Sequence, residues 1–328
     1  CRTSGTHAQR HIPAKHCWKI LGKIIVSRVT QYLLEDIVSE SQCGFRANRG
    51  TVDMIFSLRQ LQEKCREQHQ NLYIMFVDLT KAFDTVNRAG LWAILGKLGC
   101  PPKLVSVIQD FHDGMQGRVV MSGGTESQPF LITNGVKQGC VMAPTLFSIL
   151  FAAMLHSALE NCPAGIKIRY RMDGQFFDLR RLKAKTKTSE ALVRDFLYAD
   201  DCALAAHSES ALQDLADRLA EAATKFGLTI SLPKTEVLLQ PAPDTSVPSP
   251  QIYIHGTKLK VVDEFTYLGS CLSNTCNLDS EISKRLAKAS SSFGRLWTRV
   301  WKERLYTRRL SCLHSYMGAK NGLSIGDN

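Results

Sequence analysis

Residues 196–206 read Phe196-Leu197-Tyr198-Ala199-Asp200-Asp201-Cys202-Ala203-Leu204-Ala205-Ala206. Two apolar arms flank a short polar centre. The pattern predicts a β-hairpin with Asp200 and Asp201 at its turn. Residues 71–79 (NLYIMFVDL) form a second short apolar run with aromatic content. They predict a buried strand ending at Asp78. An Asp-Asp pair is an ordinary turn former. Two neighbouring carboxylates at the edge of an apolar sheet also repel, and that arrangement calls for a compensating cation.

Outward from these strands the chain alternates helical and turn-rich stretches. Residues 19–38 read as an amphipathic helix, and 41–50 as a loop rich in Arg and Gly. Residues 51–65 resume helical spacing, with Thr51 or Asp53 near the start and Ile55, Leu58 and Leu61 on one face. Helices are expected over 87–98 and 103–111, and strand-like pieces over 118–136. The apolar run within 138–160 is long enough to raise a transmembrane helix. Pro144, Thr145, Ser148, His156 and Ser157 interrupt it, and it lacks flanking aromatic anchors. A buried core helix over 143–159, with Pro144 in its first turn, is the expectation, and no membrane partner.

Ser208 is placed to cap a helix reaching Phe226, with Leu212, Leu215, Leu219 and Ala222 at helical spacing and Gly227 as the stop. Short strands are expected over 228–232 and 236–239, around Lys234. Residues 240–250 hold four prolines and read as a linker. Residues 252–262 alternate like a hairpin. From 279 to 305 a helix carries Ile282, Leu286, Ala289, Phe293, Leu296 and Val300 on one face and basic residues elsewhere. There is no internal repeat.

The chain has 328 residues, 44% hydrophobic and 22% charged, which excludes wholesale disorder and a collagen-like chain. Its net charge of +11 points to a polyanionic partner. The charge is uneven. Residues 1–75 carry net +5, 76–165 zero, 166–190 +5, 191–250 −5 and 251–328 +6. Basic blocks therefore flank an acidic stretch holding Asp200 and Asp201. A protein that only coats nucleic acid has little use for that patch. One that sets metal ions beside phosphates does. The basic, poorly periodic residues 166–190 read either as an insertion touching nucleic acid or as a surface loop. The 11 cysteines are scattered, without a C-x-x-C pair. With no secretory signal in view, they read as reduced thiols of an intracellular protein, cytoplasmic and/or nuclear and not secreted. A start at Cys1 reads as a fragment of a longer chain.

Six motifs in order resemble the reverse transcriptases, specifically the non-LTR (LINE-like, RTE-type) retrotransposon enzymes, from about Leu21 to Leu305. Ser41-Gln42-Cys43-Gly44-Phe45-Arg46 is similar to a fingers motif. Phe76-Val77-Asp78-Leu79-Thr80-Lys81-Ala82-Phe83-Asp84 resembles the first palm motif. Residues 135–147 (GVKQGCVMAPTLF) resemble the second, and Tyr198-Ala199-Asp200-Asp201 the catalytic box. Phe226-Gly227-Leu228 through Lys234-Thr235-Glu236 resembles the fourth, and Phe265-Thr266-Tyr267-Leu268-Gly269-Ser270 the primer grip.

The resemblance implies an α+β, right-hand polymerase with fingers, palm and thumb and an antiparallel palm sheet backed by helices on one side. Residues 1–70 would be fingers, 71–250 palm with part of the fingers and the 166–190 insertion, 251–275 the primer-grip hairpin with Tyr267, Leu268 and Gly269, and 276–328 thumb. It implies RNA-directed DNA polymerase activity with two Mg²⁺ ions (Mn²⁺ a possible substitute), an RNA template, a DNA primer and dNTP. Asp78, Asp200, Asp201 and the carbonyl of Leu79 would hold metal. Tyr198 belongs to the catalytic box. Lys234 would give a proton to pyrophosphate, or stand as a surface lysine. Phe83 would lie under the incoming sugar, or pack as a core aromatic. Gln138 and Gly139 would approach the template-pairing nucleotide. Arg46 would contact the triphosphate, or sit in solvent. Three departures stand out. Pro233 removes a backbone donor before Lys234, the first 18 residues lack the group's usual lead, and the pattern fades after about Arg309. A catalytically inactive nucleic-acid-binding remnant is the second reading. Another Mg²⁺-dependent phosphoryl-transfer enzyme is a third, without a Walker or kinase glycine loop to support it.

Overall fold

The computed structural model describes residues 14–34, 41–46, 48–119, 126–136, 140–171 and 188–296. They fall into two compact units, divided between Cys276 and Asn277. In chain order the first unit runs α1 (Ala14–Val29), α2 (Thr51–Glu67), β1 (Leu72–Val77), the single turn α3 (Ala82–Thr85), α4 (Arg88–Lys97), α5 (Pro102–Asp110), β2 (Gln116–Gly117) and β3 (Phe130–Leu131). It continues with α6 (Ala143–Leu159), β4 (Ile166–Arg171), β5 (Thr188–Val193), β6 (Asp195–Tyr198), β7 (Asp201–Ala206) and α7 (Glu209–Lys225). Then come β8 (Glu236–Gln240), β9 (Tyr253–Ile254), β10 (Thr257–Lys258), β11 (Lys260–Val262), β12 (Glu264–Tyr267) and β13 (Ser270–Ser273). The second unit begins with α8 (Asp279–Leu296).

The central sheet has the order β11-β8-β1-β7-β6. Every residue of β1 is buried, because both of its faces are covered. Tyr73, Met75 and Val77 join Phe147 and Phe151 of α6 and Leu212, Leu215 and Leu219 of α7 in one apolar cluster. Leu72, Ile74 and Phe76 join Leu58 and Leu61 of α2 and Tyr267 and Leu272 of the β12–β13 hairpin in another. The strand's period of two sends alternate side chains to opposite faces, so each cluster takes every second residue. This corrects the expectation of helices on one side only. The other face is covered by a helix and a hairpin.

Antiparallel pairs dominate the sheet, as expected, with one parallel pair at its edge. Two local expectations need correction. β8 pairs antiparallel with β1, but β11 pairs parallel with β8. The crossover connection lets the end of the 252–262 segment reach the sheet edge, so only β9 and β10 form a hairpin there. Lys260 stands opposite Glu236 in that parallel pair, and its Nζ lies 2.7 Å from the carboxylate. Residues 228–232 do not form a full strand. They contribute one bridge, Leu79 with Ile230.

The other elements match their local signals. Ser208 Oγ accepts from the Ala211 amide and caps α7. α6 spans the interrupted apolar run with Pro144 in its first turn and most of its residues buried. Among the described residues, no helix is long and apolar enough to cross a membrane. The N-terminal helix begins earlier than expected, at Ala14, and passes into a π-helical turn over Thr30–Leu34. The ends of the basic 166–190 stretch form a ladder, β4 against β5. α8 exposes Ile282, Leu286 and Phe293 on the expected face, and the expected extension to 305 lies outside the described residues.

Leu204 lies in the middle of β7, fully buried between β1 and the α6–α7 layer. Leu204→Ala is expected to destabilise the chain by about 2–5 kcal/mol. An exposed control, Val52→Ala, should stay within about 0.5 kcal/mol. Urea unfolding followed by tryptophan fluorescence measures both.

Candidate active site

Strands β6 and β7 pair with Tyr198 opposite Asp201, leaving Ala199 and Asp200 as the two turn residues. Two-residue hairpin turns need a positive φ at the first central position, where glycine is preferred. Ala199 occupies it at φ +59°. A non-glycine residue there costs about 1–2 kcal/mol. The segment 41–44 supports it. The Leu197 amide donates to the Ser41 carbonyl and the Cys43 amide to the Leu197 carbonyl, each at 2.9 Å. The buried Gln42 side chain accepts from the Ala199 amide at 3.0 Å and donates to the Ala199 carbonyl at 3.3 Å. Gly44 is required by close approach, since a Cβ there would lie 2.2 Å from the Ala199 nitrogen.

On the neighbouring strand Val77 is paired with Cys202, so Asp78 follows directly beside Asp201. Residues 229–235 fold back over this point. The Ser231 amide donates to the Asp78 carbonyl and the Thr80 amide to the Thr229 carbonyl, both at 2.8 Å. These two bonds flank Leu79 and place its backbone beside the carboxylates. The Asp78 amide donates to Thr235 Oγ1 at 3.3 Å, and that hydroxyl donates to the Ser231 carbonyl at 2.9 Å. Asp78, Asp200 and Asp201 thus stand where two strands of one sheet end.

Their electrostatics are strained. Asp201 is exposed as a residue, yet desolvation of its carboxyl, followed by the negative charges of Asp200 and Asp78, pushes it up to about 6. Asp78 Oδ2 is buried without a hydrogen-bond partner, and Lys234 Nζ stands 3.5 Å away as an exposed ion-pair neighbour. A buried carboxylate oxygen that accepts no hydrogen bond, beside two more carboxylates, suits a hard cation. Among the described residues, no three His, Cys, Asp or Glu groups converge as a ready-made cage. Mg²⁺ commonly takes one or two carboxylates and fills its shell with water and substrate phosphates, so the donors present fit a site completed by substrate.

The remaining expected residues divide. Phe83 is half-buried, its ring 4.8 Å from that of Phe147, which is the core-packing alternative. Arg46 is half-buried at the fingers motif, its Nη1 3.5 Å from the Gln42 carbonyl. Tyr198 packs against the sheet face that holds Phe76 and Phe265. Tyr267 is buried and donates to the Phe196 carbonyl at 3.1 Å, so the β12–β13 hairpin is bonded to the strand leading into Asp200. Burial pushes its hydroxyl well above the ordinary tyrosine value, with Cys202, Asp201 and Cys43 adding to the shift. Leu268 and Gly269 form the hairpin turn, at φ +49° and +82°. Gln138 and Gly139 lie outside the described residues.

Sequence reasoning missed three residues that support the site. Thr235 and Gln42 stand inside quoted motifs, but nothing local says that their side chains reach Asp78 and Ala199. Arg88 gave no signal. Its guanidinium donates to the carbonyls of His112, Ile132 and Gly135, tying the start of α4 to the turn after α5 and to the segment that follows β3.

The chain matches the family described as reverse transcriptase (RNA-dependent DNA polymerase) over residues 7–272. It is 24% identical over 262 residues to the Pol polyprotein of the type-2 retrotransposable element R2DM of Drosophila melanogaster, covering 76% of this chain and 23% of that protein. It is 26% identical over 272 residues to the RNA-directed DNA polymerase from the mobile element jockey of Drosophila funebris, covering 81% of this chain and 26% of that protein. Among solved structures it is similar to the Candida tropicalis telomerase truncated from its C-terminal domain, with TM-score 0.47, 14% identity and coverage of 79% of this chain and 44% of that one. The chain is α+β, and the family match carries the right-hand polymerase class. The chain belongs to the reverse transcriptase family, with non-LTR, LINE-like relatives. It spans about a quarter of the length of those relatives.

The raised Asp201 has a consequence for stability. Between the ordinary Asp value of 3.8 and about 6, the folded chain holds a proton that the unfolded chain has released. Stability therefore falls as pH rises through that window. Asp201→Asn should flatten this part of the profile, and Asp200→Asn should lessen it by removing one negative neighbour. Urea unfolding in EDTA between pH 3.5 and 7 checks both.

Proposed function

We propose that this chain is the polymerase core of an RNA-directed DNA polymerase from a retroelement, extending a DNA primer on an RNA template with dNTPs. The observation that carries the reading is the register of β1 on β7, which sets Asp78 beside Asp201 and next to the Asp200 turn in a chain of the reverse transcriptase family. The primer 3′-oxygen attacks the α-phosphorus of the dNTP, the bond to the β-phosphate oxygen breaks, and pyrophosphate leaves.

Asp78, Asp200, Asp201 and the Leu79 carbonyl would hold two Mg²⁺ ions, with Mn²⁺ as a possible substitute. Bound there, such ions supply activation of the 3′-hydroxyl and charge neutralisation at the leaving pyrophosphate. Lys234 Nζ, exposed beside Asp78, would deliver a proton to pyrophosphate. Arg46 would bind triphosphate oxygens, for which a guanidinium fork is suited. Gln138 and Gly139 would meet the template-pairing nucleotide, and Phe83 and Tyr198 would border the sugar and the base. Tyr267, Leu268 and Gly269 would seat the primer end. Residues 1–70 as fingers, 71–250 as palm, 251–275 as primer grip and 276–328 as thumb follow the same reading, as does the RTE-type assignment from the motifs. Eight cysteines between Cys43 and Cys276 are free thiols, which supports an intracellular location, cytoplasmic and/or nuclear.

Extension of a DNA primer annealed to RNA, with dNTPs and Mg²⁺, tests the proposal. The wild-type chain should extend, and Asp200→Asn should lose at least about 10²-fold in rate while keeping salt-sensitive binding of the duplex. Binding without extension by the wild type would leave the inactive-remnant reading in its place.

A further inference from the structure

The amide of Gln42 is almost fully buried, with 1% of the residue exposed, and it reaches the turn that carries Asp200. Its Oε1 accepts from two amides, Ala199 at 3.0 Å and Gly44 at 2.8 Å. Its Nε2 donates to the Ala199 carbonyl. That carbonyl belongs to the peptide unit leading into Asp200. One side chain therefore holds the peptide groups on both sides of Ala199, the residue whose left-handed backbone aims the turn. The backbone of 41–43 is paired with Leu197 at the same place, so the amide arrives on a bonded segment of chain. A carboxylate at Gln42 would keep the acceptor but lose the donor, and would face the Ala199 carbonyl with like partial charge. A methionine would keep the bulk and lose all three bonds.

We propose that Gln42 is a positioning residue for the catalytic carboxylates, fixing the Ala199–Asp200 peptide so that Asp200 presents its carboxylate beside Asp78. The inference rests on the polymerase reading for its rate effect, but its structural part stands apart from it. Misplacement of a reacting group by about 1 Å can lower a rate about 10²-fold. Loss of the amide should therefore lower kcat and leave substrate affinity largely alone. Gln42 touches neither substrate nor reacting atoms in this account.

The test compares wild type, Gln42→Met and Gln42→Glu, each confirmed as folded by circular dichroism. Three readouts are taken: hydrogen exchange of the Ala199 and Gly44 amides, Mn²⁺ affinity by electron paramagnetic resonance, and primer extension with kcat separated from the dNTP KM. Gln42→Met should raise Ala199 exchange at least tenfold, weaken Mn²⁺ at least threefold and lower kcat at least tenfold, with KM and duplex Kd within about twofold. Gln42→Glu should keep the Gly44 amide protected and lower kcat less. Unchanged exchange at Ala199, or unchanged kcat with exchange raised, overturns the proposal. If Gln42→Met does not fold, Gln42→Glu decides by the same two criteria. If the wild type itself extends no primer, the polymerase reading fails, while exchange and Mn²⁺ affinity still decide whether Gln42 holds the turn.

Discussion

The pairing of β1 with β7 is the constraint on which the rest depends. Both strands are buried, and alternate residues enter two different apolar clusters. A slip of one residue would send each side chain to the wrong cluster. Burial therefore sets the register, and the register sets Asp78 beside Asp201. The placement of Asp78 beside Asp201 is a by-product of apolar packing. Leu204 and Met75 hold the carboxylates together as surely as any bond near them.

The site concentrates unfavourable groups at the end of this well-packed sheet. Ala199 has a left-handed backbone, Asp78 has a buried oxygen that accepts no hydrogen bond, and Asp201 is pushed toward its protonated form. Each is unfavourable alone. They persist because the surrounding strands and the bonds from Thr235 and Gln42 leave the backbone nowhere else to go. That is the usual arrangement of a site that waits for a charged substrate. The carboxylates are pre-set, and binding of cation and phosphate would relieve the repulsion.

The two faces of the sheet divide the labour. On one, α6 and α7 supply bulk apolar packing. On the other, the β12–β13 hairpin is bonded through Tyr267 to the Phe196 carbonyl, two residues before the Tyr198–Asp201 turn. The primer-grip motif and the catalytic box are thus parts of one bonded unit. The segment at Gln42 reaches the same turn from the sheet's β6 edge.

Much of this was legible in the sequence because it is local. The apolar arms around Asp200, the apolar run before Asp78, the Ser208 cap and the interrupted helix containing Pro144 all report on neighbours within a few residues. What lay beyond reach was long-range. Lys260 pairs with Glu236 in a parallel strand that looked like the return arm of a hairpin, because periodicity does not name a partner. Gln42 reaches a residue 157 positions away, and Thr235 one equally distant, on the strength of packing that no window of sequence contains. The sequence by itself determined the elements, the identity of the carboxylates and the family. Tertiary structure alone decided which strands adjoin, which face is covered by what, and which polar side chains hold the turn. The reason is physical: propensity and periodicity act along the chain, whereas register, burial and desolvation exist only once distant segments meet.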